Sequence, residues 1–185
     1  PIRTVQEVNN ALQQVNQLNQ QLTEAINQLQ PLSNNDALKA ARLELENKIN
    51  QTVQTDGMTQ QSVDAYQNAK REAQNESNTA LALINNGDAT EQQITTETDR
   101  VNQQTTNLTQ AINGLTVNKE PLETAKTALQ NNIDQVPSTD GMTQQSVANY
   151  NQKLQIAKNK INTINNVLAN NPDVNAIKTN KAEAE

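Results

Sequence analysis

The 185 residues include no cysteine, histidine, tryptophan or phenylalanine, and tyrosine only at Tyr66 and Tyr150; this removes the thiolate nucleophile, the imidazole proton shuttle and the Cys/His sets of common metal sites. With a net charge of −6 and 14 basic residues scattered along the chain, no face assembles the cationic footprint that nucleic acid requires. No apolar run approaches the roughly 20 residues that span a bilayer and no signal-peptide core stands at Pro1, so the segment reads as soluble, with any export signal or anchor outside it.

Six helices and the start of a seventh are predicted. The first covers about residues 2–29, with Val5, Val8, Leu12, Val15, Leu22, Ile26 and Leu29 spaced by threes and fours into one stripe. A second covers about 35–53. The third, about 60–85, opens on Thr59 as its cap, with Met58 placed to pack on Val63 as a hydrophobic staple. Its stripe runs through Val63, Tyr66, Ala69, Ala73, Ala80, Leu83 and Ile84, interrupted at Glu76 and Ser77. That gap predicts a thin core and a compliant module. Asp88-Ala89-Thr90-Glu91 has the form of a capping box led by Asp88, and a fourth helix follows over about 90–113. Gly87 and Gly114 stand at helix ends, where a left-handed glycine is expected. A fifth helix covers about 120–136. The sixth, about 144–169, opens on Thr143, with Met142 facing Val147 and Tyr150 on the stripe. After Asn171-Pro172-Asp173 a further helix begins, with Pro172 read as its first residue.

The order of these elements repeats. Residues 55–63, Thr-Asp-Gly-Met-Thr-Gln-Gln-Ser-Val, recur without change at 139–147, an offset of 84 residues, and Leu38, Ala41, Leu45, Ile49, Tyr66 and Ala73 recur as Leu122, Ala125, Leu129, Ile133, Tyr150 and Ala157. Upstream, Val15, Leu22, Ile26 and Leu29 recur as Val101, Leu108, Ile112 and Leu115 at an offset of 86, so one connection between residues 30 and 37 is two residues longer. A period of this length means stacked supersecondary units, each hiding its apolar face against its own helices and its neighbours. The fold expected is all-α: tandem three-helix bundles stacked into an elongated rod. The period leaves the phase open. The favoured division has residues 1–31 completing a preceding module, 32–116 as one three-helix module and 117–185 as a second with a truncated last helix; the alternative is 1–86 and 87–171.

The Asp-Gly-Met-Thr-Gln-Gln-Ser-Val turn into a long helix, followed by Leu-Ile-Asn-Asn-Gly-Asp-Ala-Thr-Glu-Gln-Gln-Ile into the next, resembles the FIVAR-type three-helix modules of giant staphylococcal cell-wall adhesins. The resemblance covers essentially the whole chain. It implies a surface-anchored, rod-like adhesion protein at the bacterial cell wall, with affinity for extracellular-matrix components such as fibronectin and no catalytic residues. The repeat most associated with that family is longer and pairs two bundles, whereas the period here is 84 to 86 residues.

The chemistry-bearing residues all have ordinary readings. Tyr66 and Tyr150 are expected as core aromatics, although exposed tyrosines would suit a binding face. Met58, Thr59, Val63, Asp88, Met142, Thr143 and Val147 are expected as caps and staples. Glu44, Glu46, Glu97 and Asp99 could be imagined as a hydrolytic carboxylate pair, but a narrow bundle offers no cleft, and they are read as solvated. Asp56-Gly57 and Asp140-Gly141 lack the rest of a calcium loop and are read as turns. No catalytic, metal or cofactor site is expected. The leading function is a structural spacer in a surface adhesin, acting as a monomer whose contacts are neighbouring repeats and possible matrix protein. The alternative is a dedicated helical module for albumin or immunoglobulin, which a surplus of exposed apolar residues on one helix face would favour. A long intracellular coiled coil fits poorly, because the stripes break every 20 to 30 residues at capped turns.

Overall fold

A computed structural model describes residues 4–185 and contains seven helices among them: α1 (Val5–Asn27), α2 (Asp36–Ile49), α3 (Gln60–Ile84), α4 (Glu91–Asn113), α5 (Glu120–Ile133), α6 (Gln144–Ala169) and α7 (Val174–Ala184). No strand occurs among the described residues, so the chain is all-α as expected. The expected first-helix start at residue 2 lies outside the described residues.

Helices α2, α3 and α4 pack on one another, and α5, α6 and α7 form a second such group. The first group is an up-down-up bundle. At one end, the Asn35 side-chain amide donates to the Ile84 carbonyl (3.2 Å) and the Ser33 hydroxyl donates to the Ala89 carbonyl, tying the entry to α2 to the α3–α4 connection. At the other end, Thr59 N donates to the Thr116 carbonyl (2.7 Å), bringing the start of α3 to the exit of α4. The core follows from spacing. Leu38, Ala41, Leu45 and Ile49 line α2, Tyr66, Ala73 and Ala80 line α3 at seven-residue intervals, and Ile94, Val101 and Leu108 line α4 at the same interval. Alanines on α3 let the larger side chains of α2 and α4 approach it closely.

The second bundle repeats this core only at one end. Leu122 and Ile164 are fully buried and Ile177 nearly so, whereas Leu129, Ile133, Tyr150 and Ala157, whose counterparts in the first bundle are buried, are only half-buried. α4 runs 23 residues along its partners and α7 runs 11. Tyr66 near the start of α3 sits at the end where Leu108, Ala111 and Ile112 of α4 close the core; the sequence ends at Glu185, within the expected last helix of the second module, so the half-burial of Tyr150 does not bear on the core place expected for it.

Several boundary expectations are corrected. The N-cap of α4 is Thr90, not Asp88: Thr90 is extended, its hydroxyl accepts from Gln93 N, and the Gln93 side chain returns to Thr90 N. Asp88 instead presents its own amide to the Asn86 side chain (3.0 Å) in the preceding turn. Replacing Thr90 by alanine should lower stability by about 1 kcal/mol, whereas Asp88→Ala should stay within about 0.5 kcal/mol; urea midpoints of the two variants separate the assignments. Gly87 and Gly114 are not left-handed, Gly114 being helical at φ −82. The left-handed residues are Gly57 (φ 79), Gly141 (φ 78) and Asn171 (φ 49). Pro172 precedes the cap of α7, which is Asp173, accepting from Ala176 N at 2.7 Å.

Candidate functional site

The junction between the two bundles is built from the repeated turn. Met58 N donates to the Thr55 carbonyl (3.2 Å) and Gly57 takes the positive φ that closes the turn, a conformation in which a side chain costs energy. Thr59 then caps α3, accepting from Ser62 N. The chain leaving α4 runs antiparallel beside this turn. Asn118 N donates to the Gly57 carbonyl (2.9 Å), Thr116 N donates to Ser62 Oγ (3.1 Å), and Met58 and Val117 form an isolated antiparallel bridge. Val117, whose neighbours Thr116 and Asn118 carry the backbone hydrogen bonds to the first bundle, packs its side chain against the second bundle's core.

α7 adds a third contact. A Cβ on Gly57 would lie 2.4 Å from Val174 Cγ1, so the glycine is required by close approach as well as by φ. Lys178 Nζ stands 3.0 Å from Asp56 Oδ2, but both side chains are exposed, and such pairs contribute about 0–1 kcal/mol. Backbone pairing and the Val174 contact therefore set the geometry.

The second copy of the turn has the same internal bonds and different surroundings. Met142 N donates to the Thr139 carbonyl (3.1 Å) and Thr143 caps α6 through Ser146 N, yet nothing lies within 4 Å of a Cβ placed on Gly141. Met142 is 62% exposed. Val147 thus covers little of it, and the staple expected there accounts for a minority of its surface. In the first copy Met58 and Val63 are both half-buried, with Met58 also held by its bridge to Val117.

A second polar feature lies inside the first bundle. Ser77 is fully buried and donates to the Glu46 carboxylate, while Arg42 Nε donates to the Ser77 carbonyl (3.0 Å) and Arg42 Nη2 lies 3.7 Å from Glu46 Oε1. Glu97 is 4% exposed, which corrects its reading as a solvated residue. Its Oε2 is 3.9 Å from Arg100 Nη1, and its Oε1 has no donor. Burial, then a hydrogen bond that its protonated form donates to the Glu76 carboxylate, and the charge of Glu76, push its carboxyl up to about 7, with Arg100 pulling the other way. Glu44 and Asp99 are exposed, so the four acids do not converge on one site. Beside Glu97, an open groove of about 510 Å³ runs between α3 and α4, lined by Thr79, Ala82, Leu83 and Thr96. Among the described residues no three potential metal ligands stand together, and no helix is long and apolar enough to cross a membrane.

α1 presents the third feature. It is capped by Thr4 and Glu7 in a reciprocal box, buries nothing, and leaves Val5, Val8, Leu12, Val15, Leu18, Leu22 and Ile26 between 55% and 77% exposed. This helix carries the surplus of exposed apolar residues on one face that would favour a dedicated binding module. Its repeat counterpart α4 buries Val101 and Leu108 completely.

The FIVAR domain family matches residues 41–116 and 125–185. The chain is 55% identical over 184 residues to the extracellular matrix-binding protein EbhB of Staphylococcus aureus strain Newman. The same identity over the same length relates it to extracellular matrix-binding protein ebh of strain NCTC 8325 / PS 47 and to EbhB of strain N315. All of this chain is covered in each case, and it spans 3%, 2% and 5% of those proteins. No solved structure matches the chain.

Proposed function

The chain belongs to the FIVAR domain family, and from that premise we propose that it is a repeat segment of a bacterial cell-surface adhesin, serving as a rod-like spacer that holds neighbouring modules at fixed spacing. The observation that carries this reading is the junction, where Val117 is shared between bundles and Val174 abuts Gly57. A loose linker would need neither contact. Module boundaries at 32–116 and 117–185, with residues 1–31 completing a preceding module, are supported by the mutual packing of α2, α3 and α4 and by the unpartnered stripe of α1. The second turn, around Gly141, is then the surface on which a following repeat docks as α7 and residues 116–118 dock on the first.

Extracellular location and affinity for a matrix protein are supported by the name of the relatives, extracellular matrix-binding proteins, and fibronectin is the matrix protein we propose to test. No catalytic role is proposed: Glu46 and Glu97 lie within the bundle, and Glu44 and Asp99 are exposed and do not converge with them on one site. The α1 stripe does not favour an albumin or immunoglobulin module, because its repeat counterpart is a core stripe.

Small-angle scattering tests the spacer. A compact chain of this length has a radius of gyration of about 16 Å, whereas bundles stacked end to end reach about 28 Å from helix rise. The larger value is expected, and the compact one would overturn the rod. Surface plasmon resonance against immobilised fibronectin, with albumin and immunoglobulin in parallel channels, tests the ligand separately.

A further inference from the structure

We propose that Asn86 is a site of spontaneous modification, the fold directing deamidation to it and away from the other Asn-Gly pair, Asn113-Gly114. The inference does not rest on the spacer reading.

The chemistry starts from the dipeptide. Where glycine follows asparagine, no side chain hinders the glycine nitrogen from reaching the asparagine Cγ. The step needs only water. The Gly87 amide gives its proton to solvent base and its nitrogen attacks Asn86 Cγ; the N–Cγ bond forms, the Cγ–Nδ2 bond breaks, and Nδ2 leaves as ammonia with a proton returned by solvent. Water then opens the succinimide at either carbonyl. Breaking the new N–Cγ bond gives aspartate, whereas breaking the former backbone C–N bond gives isoaspartate, with the side-chain methylene now inside the main chain.

The local structure at Asn86 favours this reaction. Asn86 and Gly87 are both exposed just beyond α3. The Ala89 amide donates to the Asn86 carbonyl (3.2 Å) and closes a turn over residues 86–89. Within it, the Asp88 amide donates to Asn86 Oδ1 (3.0 Å). That bond holds the side chain over the backbone that follows, and it sits on the oxygen where negative charge collects as the nitrogen attacks. The Gly87 amide donates to none of the described residues, so no hydrogen bond has to open first. A Cβ built on Gly87 meets nothing within 4 Å, so the approach is uncrowded.

Two comparators in the same chain lack these features. Asn113 is also exposed and also precedes glycine, so neither accessibility nor sequence sets it apart. It is the last residue of α4, however, and the Gly114 amide donates to the Gln110 carbonyl (2.9 Å), a bond that must be released before the nitrogen can attack. The second bundle has Asn170 in the place of Asn86. Its side-chain amide is tied to the Asn166 carbonyl (2.7 Å), and the residue after it, Asn171, carries a side chain.

The consequence falls on the entry to the first bundle. Ser33 donates to the Ala89 carbonyl and Asn35 to the Ile84 carbonyl, both from the segment that joins α1 to α2. An isoaspartate at residue 86 takes the carbonyl that Ala89 bonds out of the main chain, so ageing loosens the end of the bundle at which α1 leads in.

The test incubates the full chain at mildly alkaline pH and reads each site by peptide mass. Cleavage after lysine and arginine places Asn86, Asn113 and Asn170 on separate peptides, residues 72–100, 101–119 and 161–178. Deamidation replaces an amide by a carboxyl, a mass gain of one unit, and fragmentation assigns the residue. Asn86 should react first, ahead of Asn113 by about tenfold, the factor that corresponds to one net backbone hydrogen bond. In guanidinium that lead should vanish, since the two pairs then share the same local chemistry. Gly87→Ala, which meets neither an obstacle nor a positive φ, should fold normally and bring Asn86 down to the rate of Asn170. Equal rates at Asn86 and Asn113 in the folded chain, or a lead that persists in guanidinium, would overturn the proposal.

Discussion

Leu108→Ala should destabilise the first bundle by about 3–5 kcal/mol, while Leu22→Ala should change stability by less than about 0.5 kcal/mol. The two leucines occupy the same place in the repeat, each followed by threonine in the same helical stripe. Leu108 is fully buried against α2 and α3; Leu22 is 59% exposed on α1. Truncating Leu108 removes apolar area from a core whose α3 side is lined by alanines, which leaves little around it that can collapse into the space. A loss of that size is a large fraction of the 5–15 kcal/mol that holds a domain together. Urea unfolding of the two variants followed by circular dichroism measures the difference. Equal losses would mean that α1 finds an intramolecular partner in solution.

That comparison also marks where sequence reading stops. Helix number, stripes and the caps Thr59 and Thr143 were legible because they depend on residues within one or two turns of each other. Asp88 was misread because Asp88 and Thr90 both suit a cap, and the choice turned on Asn86 taking the Asp88 amide. The left-handed glycines were misplaced for a related reason: Asn-Gly at a helix end is a local cue, but Gly57 and Gly141 are left-handed to serve the turn that precedes the next helix. The interruption at Glu76 and Ser77 did carry a signal. It was read as weakness, whereas Ser77 is fully buried and Glu97, twenty residues further on, is a second buried polar residue of the same bundle. The junction was out of reach, because Gly57 and Val174 lie 117 residues apart and nothing in either segment names the other.

Gly57→Ala and Gly141→Ala should separate the strain of the turn from the fit of the junction. Both replacements place a side chain at φ near 80°, at a shared cost of about 1–2 kcal/mol. Only the first meets an obstacle, since its Cβ would stand 2.4 Å from Val174 Cγ1, far inside van der Waals contact, while the second meets nothing. Overpacking of this kind typically adds about 1–3 kcal/mol, and the least costly relief is for α7 to back away from the turn, which is the motion that loosens the junction. Because the chain has no cysteine, spin labels introduced at exposed positions 64 on α3 and 175 on α7 report the separation of the bundles without side reactions. A narrow distance distribution is expected in the parent and in Gly141→Ala, and a broad or shifted one in Gly57→Ala. Adding Val174→Ala to Gly57→Ala should narrow it again, because the removed methyl groups are those the new Cβ displaces. If the distribution stays narrow in Gly57→Ala, the backbone pairing of residues 57–59 with 116–118 holds the bundles alone, and the glycine serves only the turn. If it broadens and is rescued, the spacing of modules is set by one close contact, and a single methyl group converts a rod into a hinge.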